Sequence, residues 1–178
     1  FALMSVIYYW GADAYLIDPE IADLTQFEAI VLSIGFLSGG WIVYDILCRL
    51  PLLIKHDWLL SVAVFALILL VAVGTTNVFS GRAAFVHVGA VVGTIMVANV
   101  FFIIIPNQKI VVADLIAGRK PEARLGQEAK QRSTHNNYLT LPVLLMMIST
   151  HFPMIFSHEH SWVVVALILV VGGIIRDY

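Results

Sequence analysis

The stretch AAFVHVGAVVGTIMVANVFFIII, residues 83–105, decides the fold of this chain. It contains no Lys, Arg, Asp or Glu, and it carries His87 near its start and Asn99 near its end. An apolar run of about 20 residues is long enough for an α-helix to cross the ~30 Å hydrocarbon core of a bilayer. The stretch therefore predicts a membrane-spanning helix that takes two strongly polar side chains into an apolar environment.

The composition of the whole chain agrees with this prediction. Of its 178 residues, 60% are hydrophobic and 12% are charged, whereas soluble domains average about 25% charged residues. This excludes a soluble enzyme. The net charge of -2 and the ten Lys and Arg residues argue against a nucleic-acid partner, because duplex binding needs a basic surface. Cys48 is the single cysteine, so an internal disulfide is excluded.

The same length criterion applied along the chain predicts an all-α fold, a polytopic transmembrane helix bundle. A partial helix ends near Trp10, and five complete helices cover residues 27–47, 58–78, 83–105, 138–156 and 162–175. We expect residues 1–178 to form a single transmembrane domain. Both ends lie in apolar runs, so we also expect the chain to be a fragment of a longer protein.

Basic residues in the connecting segments predict the orientation, because Lys and Arg accumulate in cytoplasmic loops. When alternate loops are assigned to one side, only Arg82 lies opposite the other nine basic residues. Those nine are Arg49, Lys55, Lys109, Arg119, Lys120, Arg124, Lys130, Arg132 and Arg176. Loop 107–134 is therefore predicted to be cytoplasmic and loop 11–25 to be outside. Within loop 107–134, the sequence of residues 110–123 predicts a short amphipathic helix, which Gly118 followed by Pro121 would end.

Two histidines are candidates for a cofactor or metal site, since ionisable groups inside membrane spans are often functional. His87 lies about one turn inside its helix, and His151 lies near the opposite end of the next spanning helix. Consecutive helices run antiparallel, so both can lie at a similar depth near the outer face. Two imidazoles on facing helices suit axial ligation of a b-type haem, or copper. The alternative is that both are buried and hydrogen-bonded to Ser, Thr or backbone carbonyls.

A second group of polar residues lies near the cytoplasmic ends of two adjacent predicted helices. Its members are Asn99, Asn107, Gln108, His135, Asn136, Asn137 and Tyr138. Amides and imidazole could bind a planar, hydrogen-bonding ligand. Alternatively, Thr134 is the N-cap of the helix and the asparagines satisfy the free amides of its first turn. Lesser candidates, for proton relay, are Glu28, Tyr44 and Asp45, and His158 with His160 forms a weaker candidate metal pair in an outer loop.

Three stretches of this sequence resemble a known family. They are FLSGGWIVYDILCRL from Phe36, FVHVGAVVGTIMVANVFFIIIPNQKIVVADLIAGR from Phe85, and THNNYLTLPVLLMMISTHFPMIF from Thr134. They are similar to the membrane domain of the bacterial cytochrome c-linked urate oxidases. The resemblance runs through nearly the whole chain and preserves the spacing of the loops.

The resemblance implies a membrane-bound oxidoreductase of the bacterial inner membrane. Such an enzyme oxidises urate to 5-hydroxyisourate and passes the electrons to a c-type cytochrome. Many family members carry a c-type haem in a domain with a CxxCH motif, which this sequence lacks. The matching positions imply that His135, Asn136, Asn137, Asn99 and Tyr138 serve substrate or proton handling. His87 and His151 would belong to an electron-transfer site on the outer side.

Two other functions remain as alternatives at this point. The first is a transporter of purines or other small anions, because Pro106, Pro142 and Pro153 leave room for discontinuous helices. The second is a structural membrane subunit of a respiratory-type complex, in which the histidines are packing residues. The expected partners are a c-type cytochrome, urate and the lipid bilayer, with an oligomer or a larger complex as the expected assembly.

Overall fold

The computed structural model describes residues 2–156 and 160–177, and this part of the chain is helical with no strand. The helices are α1 (Ala2–Trp10), α2 (Ala12–Tyr15), α3 (Gln26–Arg49), α4 (Pro51–Ile54), α5 (Asp57–Thr76), α6 (Gly81–Ala98), α7 (Ile105–Ile116), α8 (Ala123–Ile148), α9 (Pro153–Phe156) and α10 (Ser161–Asp177). A π-helical segment, Asn99–Ile104, joins α6 to α7, and a 3₁₀ turn, Ser149–His151, follows α8. The all-α prediction is confirmed for the described residues.

Local capping explains where α3 and α6 begin. Thr25 accepts a hydrogen bond from the backbone of Glu28, whose carboxylate accepts one from the backbone of Thr25. This reciprocal arrangement satisfies two free amides of the first turn. Glu28 is therefore a capping residue, and its prediction as a proton relay has no support in this geometry. Ser80 caps α6 by accepting from the Ala83 amide, and its hydroxyl donates to the carbonyl of Tyr15.

Helix α6 is the centre of the fold. It packs against α3, α5 and α8, and every residue from Ala83 to Gly89 is buried. The outer helices instead expose large apolar side chains, such as Phe27 and Leu70 at 76% and 70%. Such a surface is unusual for a soluble protein and suits contact with lipid.

Three of the helical stretches are long and apolar enough to cross a membrane, by length and composition alone: Gln26–Arg49, Asp57–Thr76 and Gly81–Ile116. They correspond to the first three complete helices that the sequence predicts. Membrane crossing by α8 and α10 stays a prediction. Helix α10 has 17 residues, and the first half of α8 is rich in charged and amide side chains.

Residues 107–134, predicted as a cytoplasmic loop with one short helix, are mostly helical, while their side of the membrane stays a prediction. The helix that begins at Gly81 continues through the π-helical segment and α7 to Ile116. The expected short helix at 110–123 is the end of this long helix, and it stops where Gly118 adopts a φ of +68°, a conformation that favours glycine. Helix α8 begins at Ala123 instead of near Tyr138. Thr134 therefore lies inside a helix and is not an N-cap.

Close approach of α3 and α6 depends on Gly40. A Cβ atom added at Gly40 would lie 2.5 Å from Cγ1 of Val91, whereas one added at the neighbouring Gly39 meets nothing within 4 Å. Val91 is buried and belongs to the main apolar core. The missing side chain at Gly40 is thus what allows the two helices to pack at this distance.

We expect Gly40→Ala to destabilise the protein by about 1–3 kcal/mol, because overpacking forces α3 and α6 apart. Gly39→Ala is the matched control, and it should leave the stability unchanged or raise it slightly, since Ala favours a helix over Gly. The thermal unfolding of both variants in the same detergent measures the difference. Equal melting temperatures would contradict the assignment of Gly40 to the helix contact.

Candidate functional site

Tyr44 is the centre of a buried polar cluster at one end of the helix bundle. It lies on α3, and its side chain is fully buried. Its hydroxyl lies 2.8 Å from Nδ1 of His135 on α8 and accepts a hydrogen bond of 3.0 Å from Nδ2 of Asn99. The sulfur of Cys48, one turn further along α3, lies 3.9 Å from the same imidazole nitrogen. One phenol thus connects α3, α8 and the start of the π-helical segment.

Two asparagines extend this cluster. Asn99 donates its second amide hydrogen to Oδ1 of Asn136 at 2.9 Å. Asn136 in turn donates to the backbone carbonyl of Met96, also at 2.9 Å. Met96 lies at the end of α6, where the helix changes to π geometry. π-Helical segments often occur at functional sites, and this one begins at the residue that holds Tyr44.

A buried ion pair lies beside Tyr44. Arg132, one turn before His135 and Asn136 on the same face of α8, donates through Nη2 to Oδ1 of Asp45 at 2.8 Å. The Arg132 side chain is 3% exposed. Its guanidinium carbon lies 5.1 Å from the centroid of the Tyr44 ring, a cation–π distance. Asp45 also accepts from Nε of Arg49 at 2.7 Å, so one carboxylate serves two guanidinium groups.

The charge state of His135 follows from these surroundings. His135 lies three residues before the predicted membrane span that begins at Tyr138. Burial, with a further contribution from the Arg132 guanidinium, lowers the pKa of His135 to about 4. The imidazole is therefore neutral near pH 7. When Tyr44 donates to Nδ1, the single ring proton of His135 lies on Nε2.

Unpaired polar atoms are concentrated at this cluster. Among the described residues, four buried side-chain nitrogen or oxygen atoms have no hydrogen-bond partner: Nε and Nη1 of Arg132, Oδ1 of Asn99 and Nε1 of Trp41. Trp41 lies one turn before Tyr44, and its ring centroid is 5.4 Å from that of Phe102 in the π-helical segment. Buried polar groups are nearly always paired in folded proteins, so this concentration points to the same end of the bundle as the Tyr44 contacts.

The structure brings together three of the five residues predicted to be catalytic and separates the other two. His135, Asn136 and Asn99 meet at Tyr44, as described above. Asn137 and Tyr138 are exposed, and both contact the end of α10. Asn137 accepts from Nε of Arg176 at 2.7 Å, and the Tyr138 hydroxyl donates to Asp177. The last two residues therefore connect α8 to α10 and do not reach the buried cluster.

His87 belongs to a second polar group near the opposite end of α6. Its Nε2 lies 2.6 Å from Oγ of Ser33, and its Nδ1 donates to the carbonyl of Ala83 at 2.7 Å. The Ser33 hydroxyl also lies 2.9 Å from the hydroxyl of Tyr9. The ring of Phe79 stacks on the imidazole with centroids 4.5 Å apart. These contacts are those expected if His87 is a buried, hydrogen-bonded residue, which was the alternative to ligation.

Of the two histidines predicted to hold a haem or copper ion, His87 is engaged by other groups and His151 has an exposed side chain. The 3₁₀ turn that contains His151 packs against α6, as antiparallel helices require, but the His151 side chain is exposed. Donation from Nδ1 to a carbonyl is typical of a ligating histidine, yet Ser33 already engages Nε2 of His87. No group of three or more potential ligands from His, Cys, Asp and Glu occurs in the described part of the chain. Ligation by this pair stays a prediction.

The remaining candidates are resolved in different ways. Asn107 donates to the carbonyl of Leu125 and to Glu128, so it connects α7 to α8 outside the buried cluster. His158, predicted with His160 as an outer metal pair, lies outside the described residues. A Cβ atom added at Gly89 would lie 3.1 Å from Cβ of Met146 and 3.1 Å from Sδ of Met147, so this glycine allows α6 to pack closely on α8.

Sequence reasoning missed Arg132 and gave Tyr44 and Asp45 only a minor role. Arg132 was counted as one of the basic residues of a cytoplasmic loop. The signal that could have found it is its spacing, since Arg132, His135 and Asn136 occupy positions i, i+3 and i+4 of a helix. That pattern is meaningful only once α8 is known to begin before Arg132.

The family comparison supports the urate oxidase relationship that the resemblance implies. A family model described as "Urate oxidase N-terminal" matches residues 1–178. No curated protein sequence and no solved structure matches the chain significantly.

The neighbouring residues Asn136 and Asn137 allow a matched test of the buried cluster. Asn136→Ala removes the bonds to Asn99 and to the Met96 carbonyl, and it should cost about 1–3 kcal/mol because it leaves polar atoms unpaired inside the protein. Asn137→Ala removes only an exposed contact to Arg176 and should change stability by less than about 0.5 kcal/mol. Thermal unfolding in detergent measures both, and the reverse order would contradict the cluster.

Proposed function

Because the chain belongs to the urate oxidase N-terminal family, we propose that it is part of a membrane-bound oxidoreductase that converts urate to 5-hydroxyisourate. The electrons pass to a c-type cytochrome. The observation that supports a site in this chain is the cluster in which Tyr44 of α3 meets two asparagines, a neutral histidine and a buried arginine from α8 and the π-helical segment. Amide and imidazole groups of this kind recognise planar, hydrogen-bonding molecules.

The proposed reaction has a defined balance. Urate gains one oxygen atom from water and loses two electrons and two protons as 5-hydroxyisourate forms. The electrons reduce two c-type cytochromes, and the protons need an acceptor within the protein. His135 is suited to relay a proton and not to hold one: Nδ1 takes a proton from the Tyr44 hydroxyl as Nε2 releases its own hydrogen, so the ring returns to its neutral state. The amide of Asn99 would orient the substrate, because its carbonyl oxygen has no donor among the described residues.

The proposal includes a location in the bacterial inner membrane as a polytopic bundle. It is supported by three helical stretches that can cross a membrane and by the excess of Lys and Arg on one side. In this orientation the Tyr44 cluster lies toward the cytoplasm and His87 toward the periplasm. A c-type cytochrome would collect the electrons on the periplasmic side. A haem or copper ion between His87 and His151 would require His87 to release Ser33.

Urate-dependent reduction of added ferricytochrome c tests the activity in membranes that contain the full-length gene product. We expect His135→Asn to lower the rate by about 10²-fold or more, because the variant keeps a polar group near Tyr44 but loses the ring nitrogen that handles the proton. Ser133→Ala, at an exposed position of the same helix, is the control and should keep the wild-type rate.

The outcome separates this function from transport. Urate uptake into proteoliposomes without any electron acceptor, together with no reduction of cytochrome c, would show a transporter instead. Reduction of cytochrome c that is equal in the wild type and in the His135→Asn variant would leave the activity in place but remove His135 from its site.

Cysteine labelling tests the orientation. Cys48 is buried, so single cysteines can be added at the exposed positions Asp13 and Gln127 with little background. We expect a membrane-impermeant maleimide to label Asp13→Cys in intact spheroplasts and Gln127→Cys only after permeabilisation. The opposite pattern would reverse the proposed orientation, and labelling of both in intact cells would contradict a membrane-spanning arrangement between them.

A further inference from the structure

The strongest unexplained feature of the molecule is the state of Arg132. Its side chain is 3% exposed, yet only Nη2 has a hydrogen-bond partner, the carboxylate of Asp45, while Nε and Nη1 have none. Leaving donors of a charged group unpaired inside a protein is costly. Among the described residues, no acceptor faces Nε or Nη1 of Arg132.

The charged groups in the ion pair of Arg132 carry a net positive charge. Asp45 is hydrogen-bonded to both Arg132 and Arg49, so one negative charge faces two positive charges. Glu128, the acidic residue one turn before Arg132 on α8, is paired with Arg124 and accepts from Asn107. A further negative charge near Arg132 would therefore be stabilised and not repelled.

Asn99, the second neighbour of Tyr44, supplies an unpaired acceptor. Asn99 uses both of its amide hydrogens, for Tyr44 and Asn136, while its carbonyl oxygen Oδ1 is buried and has no donor. Both groups neighbour Tyr44: the Arg132 guanidinium carbon lies 5.1 Å from the centroid of its ring, and Asn99 donates to its hydroxyl at 3.0 Å. A ligand that satisfies both groups must carry a negative charge and an N–H donor, and a flat ring could lie along the aromatic side chains.

We propose that Arg132 and Asn99 bind a planar heterocyclic anion. Arg132 donates to its charged edge, and Oδ1 of Asn99 accepts from a ring N–H. The identification of this anion as urate rests on the proposed function, whereas the anion site itself rests on the unpaired atoms. Arg132 is a binding residue in this proposal and takes no part in the proton transfer assigned to His135.

The near-complete burial of Arg132 distinguishes this ligand from a lipid headgroup, which would meet a side chain at the surface of the bundle. Inorganic phosphate offers charge without a flat ring or a ring N–H donor. Neutral hypoxanthine offers the ring without the charge. Phosphate therefore tests whether binding needs the ring and its N–H donor, and hypoxanthine tests whether binding needs the negative charge.

Equilibrium binding of radiolabelled urate to the purified full-length protein tests the proposal, with hypoxanthine, phosphate and orotate, another planar heterocyclic anion, as competitors. We expect urate to bind and orotate to compete, with hypoxanthine and phosphate at least about tenfold weaker. Arg132→Gln should lower the urate affinity at least about tenfold, as expected for the loss of a charged hydrogen bond. Asp45 keeps Arg49 as a partner in this variant.

Asp45→Asn should change the urate affinity in the opposite direction to Arg132→Gln. It removes a negative charge beside the proposed anion and keeps an oxygen for Arg132, so the urate affinity should rise. A merely structural ion pair would make both variants less stable and neither one a better binder. If Arg132→Gln fails to fold, the Asp45→Asn result decides alone, and an unchanged or lower affinity overturns the proposal.

Failure of this inference differs from failure of the proposed function. A folded Arg132→Gln variant that binds urate as well as the wild type overturns the anion site, whether or not cytochrome c is reduced. Orotate that binds in an Arg132-dependent way to a protein that neither binds nor oxidises urate would support the site and overturn urate oxidation.

Discussion

The structure depends on the burial of α6, which is surrounded by α3, α5 and α8. A helix in this position satisfies its own backbone, but its polar side chains have no access to water and need partners from neighbouring helices. His87 and Asn99 are the polar residues that meet this constraint. Ser33 of α3 serves the first, and Tyr44 of α3 with Asn136 of α8 serves the second.

The two polar groups lie 12 residues apart on α6 and its π-helical continuation, roughly 18 Å at the rise of an α-helix. Between them the contact of α3 with α6 is apolar and close, with Gly40 against Val91. The two polar groups therefore lie near opposite ends of the long helix that α6 begins. The Tyr44 end has a buried charge and unpaired polar atoms, whereas His87 has a partner at both ring nitrogens.

Hydropathy predicted the central helices well and α8 poorly, for a physical reason. The apolar runs at residues 27–47 and 58–78 correspond closely to α3 and α5, because a spanning helix is apolar along its whole length. Helix α8 begins at Ala123 with a polar half that hydropathy cannot distinguish from a loop. Arg132 and His135 were consequently assigned to a loop and to a helix end, and their common face was not recognised.

By itself the sequence determined the helical class and the apolar character of the chain, and it identified Asn99, His135 and Asn136 as candidates, since these follow from residue type and local spacing. Only the tertiary structure decided which polar atoms meet. The contacts of Tyr44 with Asn99 and of Arg132 with Asp45 join residues 55 and 87 positions apart. Such contacts depend on how helices rotate and pack against one another, whereas hydropathy and periodicity describe only one helix at a time.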